Sequence, residues 1–337
     1  MIKIPYYPDI IPIVFSSNDY FAPNMSANMQ SIMENTRKDK NYRFFVLHKN
    51  LPKEYMDLLK KQISVYDNFS ILFISVSEYF DGANFFESRG LTVETYFKIL
   101  IPYIFSEYDK VLYLDGDMIC LTDISVLFDI NLEKNMLAAI GDTNINGHYC
   151  ENNSEYLKLH IVLPNLKNPL KYFNAGLILF NTTVFRNSIS WDEIVEISLS
   201  QKYYCHDQDI LNLITDGQIL TLPYHWNLMY TDKAKYLPEN LFNEYIDAKK
   251  NPKIIHFIWK RPWERDCYVP YFECFWKYAT RTPFVDVIVK YMYDNNIISN
   301  ETFTERIISN IHFRRGIGLK FILVDCIKAW LFREKKT

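Results

Sequence analysis

Two aspartates, Asp115 and Asp117, flank Gly116 directly after the apolar run Lys110-Val111-Leu112-Tyr113-Leu114. Carboxylates that leave a buried strand together repel one another unless a cation lies between them. A hard divalent ion bound through oxygen relieves that repulsion and is commonly shared with substrate phosphates. Gly116 permits close backbone approach, although Asp-Gly is also a common solvated turn. His256 ends a second apolar run, Lys253-Ile254-Ile255-His256. It can offer a nitrogen to the same ion, or serve as a structural histidine. Asp207, Gln208 and Asp209 open a helical pattern whose apolar face is Ile210, Leu211, Leu213 and Ile214. On the plain reading the two aspartates are an N-cap and a first-turn charge, whereas Gln208 is neither a strong cap nor a core residue. Lys98 sits on a helix leading into the Asp-Gly-Asp strand, as a solvated lysine or a counter-charge for phosphate.

The elements that must hold these residues alternate between strand and helix. Ile10-Ile11-Pro12-Ile13-Val14-Phe15 is an almost wholly apolar run, as expected of a strand buried on both faces of a parallel sheet. A helix is predicted over 23–37, with Pro23 in its first turn. Strands near 44–47 and 71–74 follow, with a helix over 53–65 between them. The alternation implies right-handed crossovers and an α/β fold with a doubly wound parallel sheet. Sites in such sheets lie beyond the carboxyl ends of the strands. Further strands are predicted at 110–114, 177–180 and 253–256, the last closing the core, and helices at 191–201 and from 207. The polar, Asn-rich stretch 142–172 shows little periodicity and reads as a lid or acceptor-binding loop.

Composition narrows the function classes. The 337 residues carry 37 Lys and Arg against 40 Asp and Glu, a net charge of −3, without the basic surplus of a nucleic-acid binder. The nine glycines spell neither G-x-G-x-x-G nor G-x-x-x-x-G-K-[ST], and there is no G-x-S-x-G. Dinucleotide fingerprint, P-loop and nucleophile elbow are therefore absent. Six scattered cysteines without a C-x-x-C predict free, mostly buried thiols in a reducing, cytoplasmic setting. Met1-Ile2-Lys3-Ile4-Pro5 lacks the features of a signal peptide, and no run reaches the length of a spanning helix.

Taken in order, Ile13-Val14-Phe15-Ser16-Ser17-Asn18-Asp19, Thr95-Tyr96-Phe97-Lys98, Asp115-Gly116-Asp117, Phe173-Asn174-Ala175-Gly176, Asp207-Gln208-Asp209 and His256-Phe257 with Pro262-Trp263 resemble glycosyltransferase family 8. This group of retaining enzymes with the GT-A fold includes bacterial lipopolysaccharide galactosyl- and glucosyltransferases and glycogenin. The resemblance covers residues 10–265. It implies a Mn²⁺ ion, with Mg²⁺ as the alternative, held by Asp115, Asp117 and His256 on the diphosphate of a UDP-sugar donor. It places Ser16, Ser17 and Asn18 around the uridine, Lys98 at the diphosphate or donor sugar, and Gly116, Asn174 and Ala175 at the donor. Asp207 would bond the sugar hydroxyls, and Gln208 would lie beneath the anomeric carbon. Three departures stand out. Asn18 replaces the usual Asp, though an amide carbonyl still accepts from the base N–H. Lys98 replaces the usual Arg and lacks its fork geometry. The closing motif, His256 to Trp263, is one residue short and has no glycine, which leaves Lys260 and Arg261 as alternative phosphate contacts.

The implied reaction is transfer of a hexose to a glycan or lipid-linked acceptor by same-face attack, Gln208 being a poor nucleophile and Asp209 the alternative one. A catalytically idle binding protein would be marked by loss of Asp115, Asp117, Asp207 or His256, and all four are present. A phosphoesterase or nucleotidyltransferase would call for more acidic ligands and a second metal. The chain divides into a catalytic domain, 1–265, and a helical C-terminal region, 266–337. Within the latter, 303–337 has eight Lys/Arg and three acids. It reads as a basic amphipathic helix on the cytoplasmic face of a membrane or as a helix docked on the domain.

Overall fold

The computed structural model describes residues 1–82, 85–88, 92–160, 162–264 and 269–294; the basic segment 303–337 lies outside the described residues. The first strand, β1 (Ile10–Ser16), is buried from Pro12 to Phe15 because helices cover both of its faces. Helix α1 (Ala22–Asn35) follows with Pro23 in its first turn, then β2 (Asn41–His48), α2 (Lys53–Ile63) and β3 (Phe69–Ser75). Helix α2 buries Leu59, Gln62 and Ile63, and its termini carry Glu54 and Lys60/Lys61 with the sense the helix dipole favours. Helix α3 (Phe97–Ile104) leads into β4 (Lys110–Leu114). Beyond the Asp-Gly-Asp turn come β5 (Met118–Cys120) and β6 (Leu137–Gly141).

The segment 142–172 is not the aperiodic loop expected. It forms α4 (Thr143–Glu151), α5 (Ser154–Leu157) and two short 3₁₀ turns. Asp142 caps α4 by accepting from the N–H groups of Asn144 and Ile145, and Asn146 ties the helix to the carbonyls of Leu170 and Tyr172. Side-chain capping and tethering, rather than an apolar period, hold this stretch, so a pattern search cannot see it.

Strand β7 (Phe173–Asn181) begins four residues earlier than predicted and is followed by α6 (Thr182–Ser188), α7 (Trp191–Ser200) and α8 (His206–Ile214). Then come β8 (Ile219–Leu222), β9 (Leu228–Met229), α9 (Glu239–Lys250), β10 (Ile254–His256), α10 (Phe272–Ala279) and α11 (Val285–Asp294). The main sheet has seven strands in the order β3-β2-β1-β4-β7-β6-β8. It is mostly parallel, as expected, but β7 runs antiparallel to both β4 and β6. Strand β10 does not join it; it pairs with β5 and β9 in a separate three-stranded sheet. Apolar runs reveal burial and not strand direction, which explains both differences.

Two buried clusters flank the main sheet, one containing α1 and the small sheet, the other containing α3, α8 and the inner face of β7. Helices α10 and α11 pack on α1, where Tyr278 accepts from Asn35 and Arg281 pairs with Glu34 at 2.6 Å. No described helix is long and apolar enough to cross a membrane, and Cys120, Cys150 and Cys274 are free thiols.

Candidate active site

The Asp-Gly-Asp turn bridges the two sheets, leaving β4 and entering β5. Its backbone is held on both sides: Asp115 N–H donates to Gly176 O at 2.8 Å, and Asn28 on α1 donates to Asp115 O at 2.9 Å. Gly116 lies against α1, where an added Cβ would meet Met25 Cβ at 3.2 Å. Pairing of β10 with β5 sets His256 opposite Met118. Its Nε2 thereby faces both carboxylates, 3.1 Å from Asp117 Oδ1 and 3.8 Å from Asp115 Oδ2. Burial pushes the Asp117 carboxyl up, but the imidazole of His256 and the guanidinium of Arg261 outweigh it and hold Asp117 below its ordinary value.

The proton on His256 can be assigned from a chain of amides. Asp142 Oδ2 only accepts, so Asn174 must turn its NH₂ toward it, at 3.3 Å. Asn174 Oδ1 then accepts from Gly176 N–H at 3.0 Å and from Asn227 Nδ2 at 2.8 Å. That leaves Asn227 Oδ1 facing His256 Nδ1 at 2.9 Å, so Nδ1 carries a hydrogen and Nε2 is directed to the carboxylates. Gly176 completes the fit: a Cβ there would lie 2.3 Å from His256 Cε1 and 2.8 Å from Nδ1. Two carboxylates and an oriented imidazole suit a divalent cation such as Mn²⁺ or Mg²⁺.

Lys98 is a buried lysine, not a solvated one. It is 2% exposed, and its Nζ lies 3.2 Å from Asp115 Oδ1, 2.9 Å from Asp207 Oδ2 and 3.2 Å from Ala175 O. Burial alone would depress its pKa; the two carboxylates reverse that and keep the ammonium charged well above its usual range. Asp207 also receives the Thr95 hydroxyl at 2.6 Å, and Asp115 that of Tyr113 at 2.6 Å. Lys98 thus lies between Asp115 and Asp207, while Asp117 faces His256 and Arg261.

On the other side of Lys98, the side chain of Gln208 is engaged at every position. Its Oε1 accepts from Asn174 Nδ2 and Ala175 N–H, both at 3.0 Å, and its Nε2 donates to Asp142 Oδ2 at 3.1 Å and Tyr172 Oη at 3.3 Å. A register shift of β7 against β6 makes this possible. Ala139 faces Ile178, yet Ile140 faces Asn174, so Ala175–Leu177 bulge from the ladder and turn Asn174 toward α8. Asp209 faces elsewhere. It is fully buried, with Oδ1 receiving Tyr172 Oη at 2.5 Å and Oδ2 receiving Cys205 N–H at 2.8 Å.

Residues 12–267 match the profile of Glycosyl transferase family 8. The chain belongs to glycosyltransferase family 8. It is 28% identical over 236 residues to a putative glycosyltransferase of Haemophilus influenzae, covering 68% of this chain and 66% of that one. It is 25% identical over 244 residues to a lipopolysaccharide 1,2-glucosyltransferase of Escherichia coli, covering 70% and 68% of the two chains. Among solved structures, the apo form of the bifunctional glycosyltransferase WbbM superposes with a TM-score of 0.76 at 27% identity, over 86% of this chain and 53% of that one. This family-8 chain thus spans about two-thirds of the Haemophilus relative and about half of WbbM.

The remaining expected residues are placed unevenly. Ser16, Ser17 and Asn18 stand together at the carboxyl end of β1, where the buried Ser16 hydroxyl has no hydrogen-bond partner among the described residues. Asn18 Oδ1 already accepts Phe21 N–H at 3.0 Å. Arg261 reaches the metal-type cluster, its Nε 4.0 Å from Asp117 Oδ2 and its guanidinium 5.3 Å from the Phe21 ring, whereas Lys260 is exposed. Asp142, Asn227, Tyr113 and Tyr172 were missed in reading the sequence. Asp142 had a signal, since it follows the apolar run Leu137–Gly141 as Asp115 follows β4. Asn227 had none.

Proposed function

We propose that this chain is a retaining glycosyltransferase that moves a hexose from a UDP-sugar to a sugar hydroxyl of a bacterial surface glycan or its lipid-linked precursor. The observation that carries this is the convergence of Asp115, Asp117 and the Nε2 of His256 beside an amide network that ends on Gln208. Asp115, Asp117 and His256 would hold Mn²⁺ or Mg²⁺. Such an ion, when bound, supplies charge neutralisation for the diphosphate leaving group.

The protein's own groups account for the rest of the proposal. Lys98 fixes Asp115 and Asp207 in one geometry, so that the phosphate side and the sugar side of the site keep a set spacing. Arg261, rather than Lys260, is positioned to add positive charge at the phosphate edge. Ser16, Ser17 and Asn18 offer hydroxyl and amide groups to the uridine at the end of β1. Gln208 Oε1 has both lone pairs engaged, which makes it a poor nucleophile and a good fixed dipole beneath the anomeric carbon. Asp209 presents no free oxygen to the pocket. Same-face attack, with the departing phosphate oxygen taking the acceptor proton, is therefore favoured over a covalent intermediate. The lipopolysaccharide glucosyltransferase relative supports the acceptor class.

The deciding experiment is UDP release across UDP-hexoses with Mn²⁺, with and without sugar acceptors, followed by NMR of the product's anomeric proton. Acceptor-dependent release that stops on chelation, with retained configuration, is the expected result. Metal-independent release or an inverted product would refute the reading.

A further inference from the structure

A second cluster of metal-ligand side chains lies behind α8, on the side of the helix away from the Asp-Gly-Asp turn. We propose that His160, Cys205 and Asp209 form a separate cation site for a borderline-soft divalent ion of the Zn²⁺ type. One ligand atom from each lies within 4.8 Å of the other two, and His160 Nδ1 is 3.9 Å from Asp209 Oδ1.

Two independent features single this cluster out. His160 is completely buried, and neither of its ring nitrogens has a hydrogen-bond partner among the described residues. Aromatic rings enclose it, with Tyr156 and Tyr204 centroids at 4.8 Å and Tyr172 at 6.3 Å. Buried polar nitrogens are otherwise almost always paired. Asp209, also fully buried, is within ion-pair distance of no described Lys or Arg. A carboxylate and an imidazole left in this state beside a thiol are what a cation would complete.

The donor set selects the ion. Nitrogen, sulfur and carboxylate oxygen together suit Zn²⁺, with three protein ligands and a fourth position for water. Mg²⁺, Ca²⁺ and Mn²⁺ prefer oxygen-rich sites, so the Asp115/Asp117/His256 cluster and this one would sort ions by hardness. Cys205 is the least buried of the three ligands. Binding replaces the thiol proton, which leaves to solvent, so one thiol and one divalent ion give one thiolate complex and one H⁺. The ion would pin the end of the segment that carries α4 and α5 to the first turn of α8. Tyr172, which donates to Asp209 and accepts from Gln208, carries that constraint toward the sugar side.

The test uses the tag-free full-length protein. After dialysis against excess Mn²⁺, elemental analysis is expected to show about one zinc per chain, retained by Asp117→Asn and lost by Cys205→Ser and His160→Gln. Cobalt substitution is expected to give a thiolate-to-cobalt charge-transfer band in the wild type and Asp117→Asn, and none in Cys205→Ser or Cys205→Ala. Circular dichroism of the two Cys205 variants confirms that they fold. Wild-type protein that takes up neither zinc nor cobalt overturns the proposal. So does a cobalt–thiolate band that survives in Cys205→Ser, and so does loss of the zinc in Asp117→Asn, which would place it at the Asp-Gly-Asp turn. None of these outcomes bears on the transfer reaction itself.

Discussion

The two sides of the candidate active site are built on opposite principles. The metal side sets carboxylates against basic groups at short range: Asp115 beside Lys98, which reaches across to Asp207, and Asp117 beside the imidazole of His256 and the guanidinium of Arg261. The sugar side is made of amides, with Gln208, Asn174 and Asn227 satisfied donor by acceptor down to the single carboxylate of Asp142. A surplus of carboxylates lowers stability and is tolerated where a ligand completes it. A saturated amide network adds rigidity without needing a ligand. The comparison therefore teaches that one side is arranged to accept charge and the other to hold shape, and substitutions on the two sides should fail in different ways.

The largest effect is expected on the charged side. Asp117→Asn removes a metal-type carboxylate while keeping its volume. Loss of several kcal/mol of charge stabilisation corresponds to about 10³-fold in the rate of UDP release. Thermal stability should fall modestly, because the carboxylate's attraction to His256 and Arg261, which outweighs its burial cost, is lost. Chelator should bring the wild type to the same floor. A variant that melts earlier yet turns over normally would reverse the comparison.

Lys98→Met tests whether the ammonium is the keystone between the two sides. It strands Asp115 and Asp207 as buried, unpaired carboxylates, with an expected cost of about 3 kcal/mol in chemical denaturation. Lys98→Arg should not rescue it fully, since three acceptors already crowd one nitrogen and leave no room for a wider head group. Full rescue by Arg would show that only the charge matters there.

Gln208→Ala probes the amide side. The expected loss is about 10²-fold in kcat, the scale for removing one fixed polar group from a reacting centre. Stability should fall as well, by about 1–3 kcal/mol, because Asp142 and the Ala175 N–H each lose a buried partner. Joint loss of rate and stability on this scale is the signature of a shape-holding residue, and it contrasts with Asp117, where the loss of rate should far outweigh the loss of stability.

What the sequence disclosed follows the same division. The charged side was legible, since an apolar run ending in Asp-Gly-Asp, and another ending in His256, mark strand ends where ligands bind. The central sheet was legible for the same reason, although the direction of β7 was not, because a strand buried on both faces reads alike in either sense. The buried placement of Lys98 was not legible either: its neighbours on α3 suit a surface or a core position equally well. The amide side was largely hidden. Gln208 meets Asp142 across 66 positions of chain and Asn227 meets His256 across 29, and Asn or Gln carries no period or charge that would announce such pairings. The β7 bulge that brings Asn174 round has no sequence mark beyond the small residues Ala175 and Gly176.

Asn227 joins the two sides, and its replacement is the finest test of how they communicate. The Nδ1–H of His256 has Asn227 Oδ1 as its acceptor, and Asn227 Nδ2 in turn feeds Asn174. In Asn227→Ala the imidazole can rotate or hold its proton on the other nitrogen, so Nε2 is no longer committed to the carboxylates. Groups that orient a metal-bound histidine typically contribute about 10–100-fold in metal affinity. The expectation is a rise of about tenfold in the Mn²⁺ concentration needed for half-maximal UDP release, with kcat at saturating metal close to that of the wild type. Because Asn227 does not touch Gln208, a purely structural role would lower kcat through the amide chain and leave the metal requirement unchanged. Titrating Mn²⁺ against both variants, Asn227→Ala and Gln208→Ala, separates the two: the first should shift the metal curve along its axis, the second should scale it down in place.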